Sequence, residues 1–183
     1  MRVLFVHQSF PAQLGHVAGR LARTRGWECS FVSRDEPGWA NGIRKIRYRP
    51  DGGATERTHY FARTFENAIA HAAGVHEALT PLRDELRPDL IVGHSGFGST
   101  LFLPELFPET PIVGYFEYFY RPHDSDLDFR PDFPPFPEDV LRARARNAMI
   151  MLDLENCAAQ SGRWSRSRIN TPLILPEHRL RAA

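Results

Sequence analysis

The first hydrophobic block, Val3-Leu4-Phe5-Val6, is continuous, with no polar residue alternating inside it. A short run of this kind predicts a strand covered on both faces, as in a parallel sheet. It breaks at His7-Gln8-Ser9-Phe10-Pro11, a polar turn, after which Leu14, Val17, Ala18 and Leu21 fall on one helical face and Gly26 closes the helix. Cys29-Ser30-Phe31-Val32 predicts a second strand and Ile43 to Tyr48 a third. Strand, helix and strand in such close succession make a βαβ unit.

The middle of the chain carries a helical pattern. Phe61, Phe65, Ala68, Ala72, Val75, Leu79, Leu82 and Leu86 recur at steps of three and four, with Pro81 expected to kink the helix or split off its last turn. Asp89-Leu90-Ile91-Val92 then predicts a buried strand, Gly93 to Gly98 a glycine-rich turn, Thr100 to Phe107 a short helix, and Pro111 to Phe116 a last core strand. Pro122 to Pro137 mixes proline, aspartate and phenylalanine without a period, which predicts a long ordered loop or lid. One further helix is expected from about Glu138 to Ala159, with acidic residues in its first turn to suit the dipole. Strands alternating with helices in this order predict an α/β fold, a Rossmann-like doubly wound parallel sheet in a single domain.

Composition narrows the function classes. The 183 residues carry 23 basic and 22 acidic side chains, a net charge of +1, so neither a supercharged nucleic-acid binder nor an acidic solvating chain is expected. Of the basic residues only Lys45 is lysine, a bias expected of a GC-rich genome. No apolar run approaches the roughly 20 residues of a membrane span, and no signal peptide precedes the first strand. Cys29 and Cys157 have no metal-ligand spacing and read as small buried residues of a reducing, cytoplasmic compartment.

In open parallel sheets, ligands bind outside the carboxyl ends of the strands. That rule selects His7 to His16, Gly93 to Thr100 and Glu117 to Arg121, which should converge on one crevice. Gly93-His94-Ser95-Gly96-Phe97-Gly98 is near the nucleophile elbow of an α/β-hydrolase, with Ser95 as nucleophile, but Phe97 stands where the second glycine belongs. The same loop serves equally as a binding loop approached by sugar or phosphate, or as a tight turn capped by Ser99 or Thr100. Glu117 is the one acid in an aromatic run, Tyr115-Phe116-Glu117-Tyr118-Phe119-Tyr120-Arg121. A carboxylate in apolar surroundings suits acid–base or hydroxyl-binding work, and the aromatics suit the apolar faces of sugar rings. An ion pair with Arg121 or another of the many arginines is the plain alternative.

Other constellations carry less. An EF-hand beginning at Asp124 would need glycine and glutamate where Phe129 and Pro135 stand, and Asp124-Ser125-Asp126 reads as a solvated acidic loop rather than a metal-binding pair. His71 and His76, followed by Glu77, are five apart, not the four a zincin needs. Arg142, Arg144 and Arg146 spread over different faces of their helix.

The chain resembles the amino-terminal half of GT-B fold glycosyltransferases of family 4, the group 1 transferases. The resemblance rests on Met1 to Pro11, Gly15-His16-Val17-Ala18, Leu21-Ala22, Arg25 to Ser30, Arg87 to His94 and Pro111 to Glu117. Arg142 to Asn147 and Gly162-Arg163-Trp164 look like the closing helix and strand end of a bacterial subgroup. The resemblance implies an acceptor-binding domain over 1–164, followed by an arginine-rich tail, 165–183, in place of a linker to a donor domain. It implies a retaining transfer of a sugar from a nucleotide-sugar to an acceptor, with no metal required, and activity only when a carboxyl-terminal donor domain or subunit is supplied. The implied partners are a sugar or lipid-linked acceptor and that donor domain, with no nucleic acid and with room for peripheral contact with the inner membrane face. Glu117 would be the catalytic candidate, and Gln8, Phe10, His16, His94, Ser95, Gly96, Tyr118 and Arg121 the cleft residues. Relatives commonly carry histidine where Glu117 stands and a Gly-Gly pair where this chain has Pro11-Ala12. A non-catalytic binding module, a truncated gene product and the Ser95 hydrolase are the competing expectations.

Overall fold

The computed structural model describes residues 1–161, with side chains described as far as Cys157. The expected domain end at 164 and the tail 165–183 lie outside the described residues.

The strands are β1 (Arg2–Val6), β2 (Glu28–Ser33), β3 (Gly38–Ala40), β4 (Ile43–Arg47), β5 (Leu90–His94) and β6 (Ile112–Tyr115). They form one sheet in the order β3-β4-β2-β1-β5-β6, parallel throughout except for the antiparallel edge strand β3. From β1 the chain winds outward through β2 to β4, then returns to the other side of β1 for β5 and β6. The direction of winding therefore reverses between β1 and β5, whose register pairs Val6 with Gly93. This is the doubly wound architecture that the alternation of elements predicts, and its reversal point is where such sheets place their ligands.

The central strand shows why both faces must be covered. Leu4 and Val6 point to one side, where they pack with Val32, Ile91, Val75, Leu79 and Leu103. Val3 and Phe5 point to the other, against Phe31, Leu14 and Ala18. The period-two alternation of a strand thus feeds two apolar clusters from one continuous hydrophobic run. The second face is closed by α1 (Gly15–Ala22). The first is closed by α2 (Arg63–Leu79), which buries Ala68, Ala72, Val75 and Leu79 at helical spacing.

As Pro81 predicts, α2 ends in a 3-10 turn at Thr80–Leu82, and the last turn, α3 (Arg83–Leu86), is separate. The helix expected from Thr100 is shorter, α4 (Leu103–Leu106), because Thr100 and Leu101 are engaged by groups on the final helix. The single helix expected from Glu138 is two, α5 (Pro137–Arg146) and α6 (Ala148–Ser161). They part at Asn147, whose side chain accepts from Tyr120 N–H at 2.8 Å and donates to Tyr120 C=O at 2.7 Å. Residues between Pro122 and Phe136 form neither helix nor strand, as the sequence predicts.

The strand that the sequence reading passes over is β3. Asn41 and Gly42, at φ of 51° and 81°, make the two-residue turn that joins it to β4. Both central residues in the left-handed region are what a type I′ hairpin requires.

Candidate functional site

Three segments meet at the carboxyl ends of β1, β5 and β6, and each delivers one polar side chain. β1 runs into His7, β5 ends in His94, and the chain leaving β6 carries Glu117. The rings of His7 and His94 meet edge to face, with centroids 5.0 Å apart. Phe97 and Tyr115 pack on His94 at 4.9 and 5.3 Å, so the imidazole sits in an aromatic cage and is only 4% exposed.

His94 is held at both nitrogens. Its Nδ1 donates to the Ser95 carbonyl at 2.8 Å, and its Nε2 faces Oε2 of Glu117 at 3.0 Å. A carbonyl only accepts, so the proton on Nδ1 is committed there. Gln13 Nε2 donates to the same Oε2 at 3.3 Å. Oε1 of Glu117 has no hydrogen-bond partner among the described residues, and the Glu117 side chain is half exposed. Glu117 thus pairs with His94, and the ion pair with Arg121 does not form.

His7 differs from its neighbour. Burial in the first place, and the charge of His94 in the second, hold its imidazole below the usual value of 6.5, so it stays neutral. The Ser9 amide donates to its Nδ1 at 3.0 Å. Nε2 is buried, and the Gln13 side chain, which donates to Glu117, also lies against the His7 imidazole.

The glycine-rich turn after β5 is folded around a buried carboxylate. Asp153, on α6 and 1% exposed, accepts from Gly96 N–H at 2.7 Å and from the Thr100 hydroxyl at 2.6 Å. Burial pushes its carboxyl above the ordinary carboxylate range, while the two donors pull the other way. Gly98 lies at φ +76°, and a Cβ there would stand 1.9 Å from the Ala68 carbonyl oxygen, so only glycine fits against α2. The Gly96 N–H group a phosphate would use is thereby engaged by Asp153. Ser95 Oγ is buried, and no imidazole hydrogen-bonds to it among the described residues. The nucleophile–base contact of a hydrolase is thus not formed at Ser95.

The other sequence-selected residues do not all reach this cluster. Phe10 turns its ring onto Phe31 at 5.0 Å, with Lys45 Nζ 5.4 Å from the ring centre, and so completes the packing beside β2. Gln8 is half-buried, and its carbonyl accepts from Arg34 N–H at 3.0 Å. His16 is exposed on the first turn of α1. Tyr118 is drawn toward Asp126, whose carboxylate takes its hydroxyl hydrogen and pushes the phenol up to about 12. Arg121 is exposed. The three strand-end segments selected in the sequence do meet here, bringing together His7, Gln13, His94, Ser95, Gly96 and Glu117; Asp153, which the sequence does not signal, completes the cluster.

Among the described residues no group of three His, Cys, Asp or Glu is placed to hold a metal ion. The acidic loop binds itself, with Asp128 accepting from the amides of Asp124 and Ser125 at 3.0 and 2.9 Å. His71 is engaged by the Tyr48 hydroxyl at 2.9 Å. Arg142 lies over Tyr60 and Arg146 over Tyr120, so the arginines of α5 form no stripe. No described helix is long and apolar enough to cross a membrane.

A hollow of about 590 Å³ lies at the opposite edge of the sheet, between the amino ends of β1, β2 and β4, lined by Trp27, Trp39, Arg44 and Glu85 among others. Its charges already face each other: Arg44 holds Glu85 through both guanidinium nitrogens, at 2.5 and 3.2 Å, and Arg2 lies 3.5 Å from Glu28.

No curated protein matches the chain. A family model, that of the glycosyl transferase family 4 group, matches residues 25–169, from the approach to β2 through the described end of α6 and beyond. With that match over most of its length, on a doubly wound sheet whose polar cluster sits at the reversal point, the chain belongs to the glycosyl transferase family 4 group.

Proposed function

We propose that this chain supplies the acceptor side of a retaining glycosyltransferase. A sugar is transferred from a nucleotide-sugar, held by a carboxyl-terminal donor domain or subunit, to an acceptor seated at the carboxyl edge of the sheet. The observation that supports this reading is the His94–Glu117 pair at 3.0 Å, placed at the reversal point and flanked by aromatic rings.

In this reading Glu117 is the catalytic residue. His94 and Gln13 hold one of its carboxylate oxygens, which leaves the other to accept the hydrogen of the acceptor hydroxyl. A hydroxyl so oriented presents a lone pair to the anomeric carbon of the donor sugar, and orientation of this kind is a large part of what an enzyme supplies. For retention, the bond from the acceptor oxygen to the sugar forms on the same face of the ring from which the nucleotide diphosphate departs, and the hydroxyl proton passes to the departing diphosphate oxygen. Nothing in this division of labour calls on a metal. The acceptor is a sugar or a lipid-linked sugar, and the setting is the cytoplasm or the inner face of a membrane.

Isothermal calorimetry of the purified chain with UDP- and GDP-sugars tests the division. Weak or absent donor binding is the expected result. Tight donor binding by this chain alone would overturn it.

A further inference from the structure

The Ser95–Gly96 peptide stands between two groups of the site. Its N–H, from Gly96, donates to Asp153 Oδ2 at 2.7 Å, and its C=O, from Ser95, accepts from His94 Nδ1 at 2.8 Å. On the far side of the ring, Nε2 faces Oε2 of Glu117 at 3.0 Å. One peptide unit thus joins a carboxylate on α6 to the His94–Glu117 pair.

That peptide has a second orientation open to it. Ser95 and Gly96 are turn residues, and Gly96 lies at φ 89°. A glycine at positive φ in the third position belongs to a type II turn, and rotating the central peptide by about 180° gives the type I form, which glycine also accepts. The Ser95 amide does not oppose the rotation, because it is bonded separately to the Tyr115 carbonyl at 3.0 Å. The flip exchanges C=O and N–H. Gly96 N–H would then turn toward His94 Nδ1, which would have to accept, and the ring hydrogen would move to Nε2. The two peptide orientations therefore match two tautomers of His94. Phe97, Tyr115 and His7 meet the imidazole as rings and make no hydrogen bond to it among the described residues, so they do not choose between the two.

Asp153 does choose. It is 1% exposed, and each of its oxygens has a donor, Gly96 N–H on Oδ2 and the Thr100 hydroxyl on Oδ1 at 2.6 Å. A carboxylate so engaged only accepts. The flipped peptide would set the Ser95 carbonyl oxygen against it, replacing a charged hydrogen bond by two acceptors in a buried place.

We propose that Asp153 is a positioning residue of the site: its carboxylate holds the Ser95–Gly96 peptide with the carbonyl on His94 Nδ1, and so keeps a hydrogen on that nitrogen and leaves Nε2 to accept from the Glu117 side. That the pair so held is catalytic rests on the acceptor-side reading; the positioning itself does not.

The test is NMR of the full chain labelled with nitrogen-15 and carbon-13, at about pH 8, above the usual histidine value. In the wild type, His94 is expected to carry a hydrogen on Nδ1, and Ser95 Hα to lie close to the Gly96 amide hydrogen, the short distance of a type II turn. Asp153→Asn presents an N–H₂ that conflicts with Gly96 N–H and suits the flipped carbonyl. In that variant the ratio of Nδ1–H to Nε2–H at His94 is expected to fall at least about tenfold, with the amide hydrogens of Ser95 and Gly96 close together instead. Asp153→Ala, which offers neither donor nor acceptor, is expected to leave His94 in both tautomers. Thr100→Val removes the other donor but not the peptide's partner, and is expected to lower the melting temperature with His94 unchanged. If D153N or D153A loses stability while His94 stays on Nδ1, the carboxylate is merely structural and the proposal is overturned. An equal tautomer change in T100V would overturn it as well. A wild type whose His94 Nδ1 carries no hydrogen would do so however the variants fold. The acceptor-side reading answers to the donor titration, so the two fail separately.

Discussion

The two edges of this sheet are opposites. The amino edge has room, a hollow of about 590 Å³ bordered by two tryptophans, but its arginines are already paired with Glu85 and Glu28. The carboxyl edge has histidines, a carboxylate and buried polar atoms that have no partner, held in place by helices that reach across from the end of the chain. Space alone marks neither edge as functional. What separates them is satisfaction: one edge has its charges closed on each other, whereas the other keeps buried serine hydroxyls and a carboxylate oxygen of Glu117 without hydrogen-bond partners among the described residues. Unsatisfied buried groups are uncommon enough in folded proteins that their grouping at the reversal point of the sheet is the informative difference.

Perturbing the frame of the carboxyl edge should give the largest effects. Gly98→Ala adds a methyl group against the Ala68 backbone at a positive φ, and should cost about 3 kcal/mol by the combined strain and overpacking. Thermal denaturation would show it as a fall of roughly 2–4 °C per kcal/mol. Asp153→Asn places an amide N–H₂ against one of the two donors now bound by the carboxylate, and should cost about 2 kcal/mol. Urea titration measures that loss, and a variant as stable as wild type would show that the loop after β5 does not depend on α6.

The pH dependence comes next. His7 and His71 are both held below 6.5, burial being the first cause for each. The unfolded chain therefore binds more protons than the folded one between their folded values and 6.5. Their contribution is full above 6.5 and is lost as pH falls through that value toward the folded ones. The melting temperature should accordingly drop from pH 7.5 to pH 5.5, values taken as roughly one unit either side of 6.5. The double variant H7Q/H71Q should flatten that drop. Ala12 sits at φ 42° in the loop that carries Gln13, and Ala12→Gly should stabilise the chain by about 0.5–1 kcal/mol by relieving the left-handed alanine. Smallest of all, Glu85→Gln at the amino edge should leave stability within error, since that pair is solvent-exposed and screened.

How far the sequence showed this division can be followed residue by residue. β1, α1, β2 and β5 were legible from period alone, and the strand-end rule found His94 and Glu117 because both stand where a continuous apolar run stops. The same rule selects the segment from His7 to His16, which contains His7 and Gln13, although it does not single out either of them there. The Asn41-Gly42 pair was an available hairpin signal for β3. Asp153 had no local signal. It lies in an apolar stretch of a helix, and its meaning comes from Gly96 and Thr100, more than fifty residues earlier in the chain. The break at Asn147 is of the same kind, because its partner is the backbone of Tyr120. Phe10 errs in the other direction: it follows a strand end, yet the neighbouring Phe31 draws its ring into packing. Local patterns locate the elements and the ends of strands, but not which polar residue a distant helix will bring to them.

The most direct test of the carboxyl edge as the acceptor site is a backbone amide shift map of the chain with the methyl glycosides. Shifts concentrated at residues 7–13, 94–97 and 115–118 are the predicted result. Shifts confined to the surroundings of Trp27, Trp39, Arg44 and Glu85 would place the sugar at the amino edge and contradict the account.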